Sequence, residues 1–305
     1  MEIGKSFYDL CVPYTKDHDE LCRILQELYE YGYRTVAIDQ PFDHIKEAKK
    51  SSDIFPVPVP LDEFREQFKN KLKILNRITI TYSDSVINHA MNNSQNLKKY
   101  NIIAGIPKTD QAMQHCCSTF LGDIVGMNLD DGARSVIVNH KYYQLAVRRG
   151  MGFEVRYSPM IVDSNQRKEI LTIGHTYASQ RKSKNIIITS GATKKFHVRS
   201  PYDIANLGLI FGLSEEQSKA AISHICRSLL LRAEARRYGK TVMTVKIANK
   251  SAKSDTDDDD DDDSDDDTDD GMQMDVSEER DVVAVSDDSS SVELVTQPSK
   301  KKKLN

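Results

Sequence analysis

Two periods alternate along roughly the first 240 residues of this 305-residue chain. Short runs rich in Ile, Val, Thr and Tyr recur over residues 7–12, 34–39, 73–83, 102–106, 124–129, 153–157 and 186–189, and each predicts a strand. Between them, apolar positions fall three and four apart, the spacing of a helix with one buried face. Leu21, Ile24, Leu25, Leu28 and Tyr31 form such a face. Asp17 with Glu20 starts it as a cap and reciprocal partner, and Gly32 ends it. Further helices are predicted over 61–71 (Leu61, Phe64 and Phe68 inward), 86–97, 109–120 with Thr109 as cap, 142–149 ended by Gly150, and 166–182. The run TVAID at 35–39 is apolar without alternation, as a strand covered on both faces requires. Residues 42–60, with Pro56, Pro58 and Pro60 alternating with Val57 and Val59, read as a long extended connector, and Ser158–Pro159 as a turn.

A helix between two such strands makes them parallel neighbours. Seven strand–helix units recur, with an eighth candidate strand over 135–138. That repetition predicts an α/β fold, a closed or nearly closed (β/α) barrel of the TIM type, with an open doubly wound sheet as the alternative. Periodicity alone does not separate the two.

The last part of the patterned region is the most clearly punctuated. Ser200 caps a helix whose first residue is Pro201, where the missing N–H costs nothing, and Asp203 places a negative charge in its first turn. Gly212 stands where a left-handed residue ends the helix. Ser214 and Gln217 then form a capping box for a second helix. Its apolar stripe is Ala221, Ile222, Ile225, Leu229 and Ala233, bordered by Lys219, Arg227, Arg232, Arg236 and Arg237.

From about residue 249 the pattern stops. Residues 254–270 are nearly all Asp, with Ser264 and Thr268 set among them, and the chain ends in Lys300, Lys301, Lys302 and Lys303 behind Pro298. Such a segment buries too little apolar surface to offset chain entropy, so a barrel over residues 1–248 and a disordered acidic tail over 249–305 are expected. The split changes the meaning of the overall charge. From Asp255 onward the sequence holds 20 acidic and 5 basic residues, a net of −15, so the total of −4 conceals a body of +11. A basic body suits a polyanionic partner. Ser264, followed by three aspartates, suits an acidophilic kinase, and the terminal lysine cluster a nuclear-import signal.

The five cysteines show no metal or disulfide spacing and are expected to be reduced, mostly buried thiols of an intracellular protein. No charged-then-apolar leader follows Met1, and no run reaches 18 apolar residues, so neither a signal peptide nor a membrane partner is expected.

Several segments carry a resemblance. The longest is RSPYDIANLGLIFGLSEEQSKAAIS from Arg199; upstream stand YDLCV at Tyr8, YGYRTVAI at Tyr31, ILNRITI at Ile74, IPKT at Ile106, GFEVRYSPMI at Gly152 and NIIITSGA at Asn185. Together they resemble the PHP-like TIM-barrel protein subunit of ribonuclease P and ribonuclease MRP, the thirty-kilodalton class. The resemblance favours the barrel. It implies a non-catalytic subunit of a ribonucleoprotein in which RNA, with magnesium bound by that RNA, removes 5′ leaders from precursor tRNA. It implies no cofactor on this chain. Partners would be the RNA component and other protein subunits, including a small ferredoxin-like one, with precursor tRNA reached indirectly. Precursor-rRNA processing and residence in the nucleus and nucleolus would follow.

Barrels hold their chemistry at the C-terminal ends of the strands. There the sequence offers Cys11, Val12 and Pro13, Asp39 and Gln40, Lys108, Ser158, and Ser190 with Gly191. The PHP phosphoesterases, which this barrel resembles, carry a His-x-His metal-binding pair at the end of the first strand. Here that stretch reads Asp9-Leu10-Cys11-Val12, and none of the eight histidines forms such a pair. A free-standing metal-dependent phosphoesterase is therefore the alternative reading, and no catalytic or metal-ligating residue is assigned. GxSxG, P-loop and GxGxxG patterns are missing. Basic residues near predicted strand ends and loops remain: Arg77, Lys108, Arg148, Arg149, Arg156, Lys194, Lys195 and Arg199 are the candidate RNA-binding set.

Overall fold

A computed structural model of the chain describes residues 6–47, 53–127, 129, 138–180 and 184–239. The chain divides into a unit Met1–Lys246 and a unit Ile247–Asn305. The tail with Ser264 and Lys300 to Lys303, and all but the last residue of the candidate strand at 135–138, lie outside the described residues.

Seven strands pair in chain order, every pair parallel: β1 (Phe7–Pro13), β2 (Tyr33–Asp43), β3 (Lys73–Tyr82), β4 (Ile102–Pro107), β5 (Ile124–Val125), β6 (Gly152–Arg156) and β7 (Ile186–Thr189). The sheet curls until its first and last strands meet. There the Gly191 N–H donates to the Cys11 carbonyl at 2.8 Å, and the Ser190 N–H to Asp9 Oδ1 at 3.0 Å, in place of a regular ladder. Sequential order with the two edges joined is a nearly closed barrel, which excludes the doubly wound alternative.

The helices follow their local signals closely. Asp17 Oδ1 accepts the Glu20 N–H at the start of α1 (His18–Glu30), and Thr109 Oγ1 the Ala112 N–H at the start of α5 (Asp110–Ser118). Other elements are shorter than the pattern predicts. The helix expected over 61–71 spans only Asp62–Gln67, and the one over 86–97 only Ile87–Asn93 before a 3-10 turn at Leu97–Lys99. β5 keeps two residues of six, because only Ile124 and Val125 find partners on both neighbouring strands. The connector after residue 42 begins differently: β2 continues to Asp43, and a single turn of helix, His44–Glu47, follows. The expected turn at Ser158 is instead a short helix, Ser158–Val162, leading into a long one, Ser164–Ser179. The helix expected over 142–149 is present as His140–Arg148, ahead of β6.

The helical pair at the end of the barrel begins as its capping residues dictate. Ser200 Oγ accepts the Asp203 N–H before Pro201–Ile210, Gly212 has φ +91°, and Ser214 and Gln217 close a reciprocal box. The second helix then departs from expectation and breaks in two, Glu215–Ala221 and α11 (His224–Tyr238), the eleventh α-helix among the described residues. The break has a long-range cause. The Ile222 carbonyl leaves the helical ladder and accepts the Tyr8 N–H at the start of β1 at 3.0 Å, which satisfies that donor.

After that break α11 crosses the N-terminal ends of the strands. Leu229 fills the space above Gly152 at the start of β6, where a β-carbon would lie 2.6 Å from its Cδ1. Arg232 reaches the Gly122 carbonyl and Arg236 the Asn101 carbonyl, just ahead of β5 and β4. Leu229 and Cys226 complete an apolar cluster with Leu10, Ala37, Leu75, Ala104, Ile124 and Ile187, so α11 floors the barrel. The remaining core lies between the sheet and its outer helices.

Candidate functional site at the two ends of the barrel

Toward the C-terminal end the barrel interior turns polar. Arg77 projects from β3 and is wholly buried. Its guanidinium grips Glu154 of β6 with both terminal nitrogens, at 2.5 and 2.6 Å, donates to the Leu10 carbonyl at 2.7 Å, and sets Nε 3.2 Å from Asp39 Oδ1. Thr79 Oγ1 donates to Asp39 at 2.5 Å and Thr189 Oγ1 to Glu154 at 2.9 Å. Burial alone would raise the Glu154 carboxyl; the Arg77 charge and its paired hydrogen bonds outweigh that and hold it below its ordinary value. Asp39 is raised by burial despite Arg77. Asp9, at the seam, is pushed by burial to about 6, and its Oδ2 makes no hydrogen bond among the described residues.

This network answers the question of chemistry at the strand ends. The Cys11 thiol sits where the resembling phosphoesterases would carry histidine. It is fully buried, lies 3.8 Å from Asp39 Oδ2, and is driven well above its ordinary range by burial, which keeps it uncharged and a poor ligand or nucleophile. The carboxylates that face the barrel axis already share one cation, Arg77. Among the described residues no three His, Cys, Asp or Glu side chains converge as a metal site.

Arg77 therefore leaves the candidate RNA-binding set: a side chain sealed inside the barrel cannot touch a phosphate. Arg149 leaves it for another reason. Its guanidinium donates to the Cys116, Cys117 and Phe120 carbonyls and so closes the C-terminal end of α5. Lys108 lies 3.5 Å from Asp43, Lys195 lies 3.1 Å from Glu27, and Arg156 donates to the Met127 carbonyl at 2.6 Å. Lys194, Arg199 and Arg148 are exposed. The eight residues thus do not form one surface.

The N-terminal end carries a different arrangement. Asp123, just ahead of β5, is buried and accepts the Ile103 N–H. Arg236 binds it at 3.0 Å and Arg232 at 3.4 Å, while Arg149 stands near enough to depress Arg232. Burial lowers Arg232 first; Asp123 opposes this, and Arg149 and Arg236 add to it. One carboxylate thus serves two guanidiniums, Arg232 and Arg236, with a third, Arg149, near enough to repel Arg232. The sequence signal was present in the basic border of the last helix, but placing it on a barrel end required the break at Ile222.

Beside α7 (Ser158–Val162), a groove of about 390 Å³ is lined by Tyr157, Met160, Ile161, Arg199, Ile204 and Leu207, among others. Ile161, Val162, Tyr202, Leu209 and Ile210 are exposed nearby on the same two helices.

Seven parallel strands in sequential order, curled into a nearly closed sheet with helices outside, define a TIM-like α/β barrel. The family described as RNase P subunit p30 matches residues 6–238, and the chain belongs to that family. It is 31% identical over 258 residues to the "Ribonuclease P protein subunit p30" of Mus musculus, covering 82% of this chain and 94% of the relative. It is 24% identical to the "Ribonuclease P/MRP protein subunit RPP1" of Saccharomyces cerevisiae, covering 74% of this chain and 77% of the relative. Among solved structures, a chain of an archaeal ribonuclease P with mature tRNA superposes with a TM-score of 0.56 at 14% identity, covering 81% of this chain and all of that one.

Proposed function

We propose that this chain is a non-catalytic protein subunit of a ribonuclease P particle, supporting RNA-catalysed removal of 5′ leaders from precursor tRNA. The observation that carries the reading is the family match across residues 6–238, essentially the whole described barrel. The interior supports it: the space where a barrel phosphoesterase would gather metal ligands is held by Arg77 between Glu154 and Asp39. The name of the budding-yeast relative supports membership of ribonuclease MRP, and with it a part in precursor-rRNA processing. Partners in this reading are the RNA component, which carries the magnesium, and neighbouring protein subunits such as a small ferredoxin-like one. The exposed apolar side chains around Ile161 and Ile210 suit protein docking. The compartment is the nucleus, including the nucleolus.

Two measurements test the reading. Purified chain incubated with precursor tRNA and magnesium or manganese should leave the 5′ leader intact; clean cleavage without added RNA would favour the phosphoesterase. Affinity purification from cells at moderate salt should bring down a ribonuclease P or MRP RNA, and sequencing of the bound RNA shows which.

A further inference from the structure

The barrel end floored by α11 gathers cations from several segments of the chain. Lys73 begins β3, Lys98 and Lys99 stand just ahead of β4, and Arg148 ends the helix that leads into β6. Arg227 and Arg237 lie along α11. Chain order scatters these residues over some 165 positions; the barrel gathers them because each precedes a strand or lies on the helix that crosses the strand starts. Among the described residues Lys98, Lys99, Arg148 and Arg227 have no carboxylate within ion-pair distance, and all four are exposed. Lys73 pairs with Glu234 at 3.5 Å. Asp123 is already taken by Arg232 and Arg236. The charge of Lys98, Lys99, Arg148 and Arg227 therefore meets no carboxylate among the described residues, whereas Lys108 and Lys195 elsewhere each face one of their own.

We propose that the N-terminal end of the barrel, around α11, is the surface that binds the phosphate backbone of the particle's RNA. This rests on the ribonuclease P reading and goes beyond it by choosing the end opposite to the one where barrels do chemistry. Several features fit a backbone contact. The cations are spread over a broad, rigid face and come from the ends of regular elements, so little side-chain order is lost on binding beyond the side chains themselves. Arginines predominate on α11, and a guanidinium can take two phosphate oxygens at once. Among the described residues α11 exposes a single aromatic ring, Tyr238, and no row of them accompanies the cations, so the face suits a helical RNA backbone better than unstacked bases.

The test uses the full chain and a transcript of the cognate ribonuclease P RNA, with binding measured across a salt series. One variant replaces Lys98, Lys99, Arg148 and Arg227 with Ala; a second replaces Lys108, Lys194 and Arg199 with Ala. Since the first four side chains are exposed and unpaired, its melting curve should match the wild type. Its affinity at about 0.1 M salt should fall by roughly tenfold or more, and the slope of log K against log salt should flatten by about 3, near 0.7–0.9 for each lost phosphate contact. The second variant should stay within about threefold of wild type. Loss confined to the second variant would overturn the proposal and leave the ribonuclease P reading standing. So would wild-type affinity for both. If the isolated wild-type chain binds no transcript, yet its tagged form recovers leader-cleaving activity from cells that the first variant fails to recover, the face belongs to an acidic protein subunit and the RNA assignment is wrong. If the tagged wild-type chain recovers neither RNA nor activity, the ribonuclease P reading itself fails.

Discussion

The barrel contains two arginine-centred clusters, and their stoichiometry is opposite. Inside, one guanidinium, Arg77, is divided between Glu154 and Asp39 and sees no solvent. At the N-terminal end two guanidiniums, Arg232 and Arg236, share the single carboxylate of Asp123 and are about a quarter exposed. The first arrangement can only be structural. A cation taken out of water must be fully compensated, and here it is compensated to excess, by carboxylates and by the Leu10 carbonyl. The second is cationic to excess: two guanidiniums on one carboxylate leave one positive charge over, in a region that still touches water. Surplus charge of that kind is useful only toward a partner. Residue type does not distinguish the two clusters; the ratio of cations to carboxylates and the access to solvent do.

The sharpest way to break this comparison is to empty the inner cluster. Arg77→Ala leaves Glu154 and Asp39 buried with no cation, a change that costs about 3–5 kcal/mol. In a body of this size that is a drop in Tm of roughly 10 °C. The double variant Arg77→Met with Glu154→Leu removes both charges and should recover most of the loss. Calorimetry of the three proteins decides the matter: a single variant that melts like wild type would show that the pair is not holding the barrel together.

Asp9 gives the second contrast, at the β1–β7 seam. Burial raises its carboxyl to about 6, against about 3.9 for an unfolded chain. Between pH 4 and 6 the folded protein therefore keeps a proton that the unfolded chain has released, and stability falls as pH rises through that window. Above pH 6 the penalty is complete, at about 3 kcal/mol. Asp9→Asn can still accept the Cys11 and Ser190 N–H groups through Oδ1 and has nothing to ionise. Wild type should thus lose ground to this variant between pH 4 and 7, with the difference insensitive to salt because the site is buried. Parallel melting curves at every pH would show that Asp9 stays ionised throughout.

Much of this architecture was legible in the chain. The caps Asp17, Thr109, Ser200 and Ser214 and the left-handed Gly212 depend on a few neighbouring residues, so local pattern sufficed. What failed depended on distant partners. The length of β5 is set by register with β4 and β6, and the break at Ile222 by a hydrogen bond to Tyr8. Arg77 was misread because a basic residue near a strand start resembles a surface contact until the barrel closes over it. A signal was nonetheless there: Arg77 in ILNRITI and Glu154 in GFEV are lone opposite charges inside strands otherwise buried throughout. Two such strands predict a buried pair. Nothing comparable marks the N-terminal face, whose members come from separate segments and share only their position beside strand starts.

Asp123 offers the finest test of the comparison, because it is the one carboxylate at the centre of the basic end. Asp123→Asn keeps the shape of the side chain and can keep its bond from the Ile103 N–H, but removes the charge that Arg232 and Arg236 share. The cost to folding should be about 1–3 kcal/mol, the range for hydrogen bonds to a charged group, and smaller than that of Arg77→Ala because water reaches both arginines and screens the loss. The effect on RNA should have the opposite sign. With Asp123 neutral, two guanidiniums are released from an internal partner and the local charge rises by one, so affinity at low salt should increase a few-fold and the salt dependence should steepen. A variant that is less stable yet binds RNA more tightly would separate the two roles at a single position. If instead Asp123→Asn weakens binding in proportion to its loss of stability, the two arginines serve only to seat α11, and the two clusters differ in degree of burial alone.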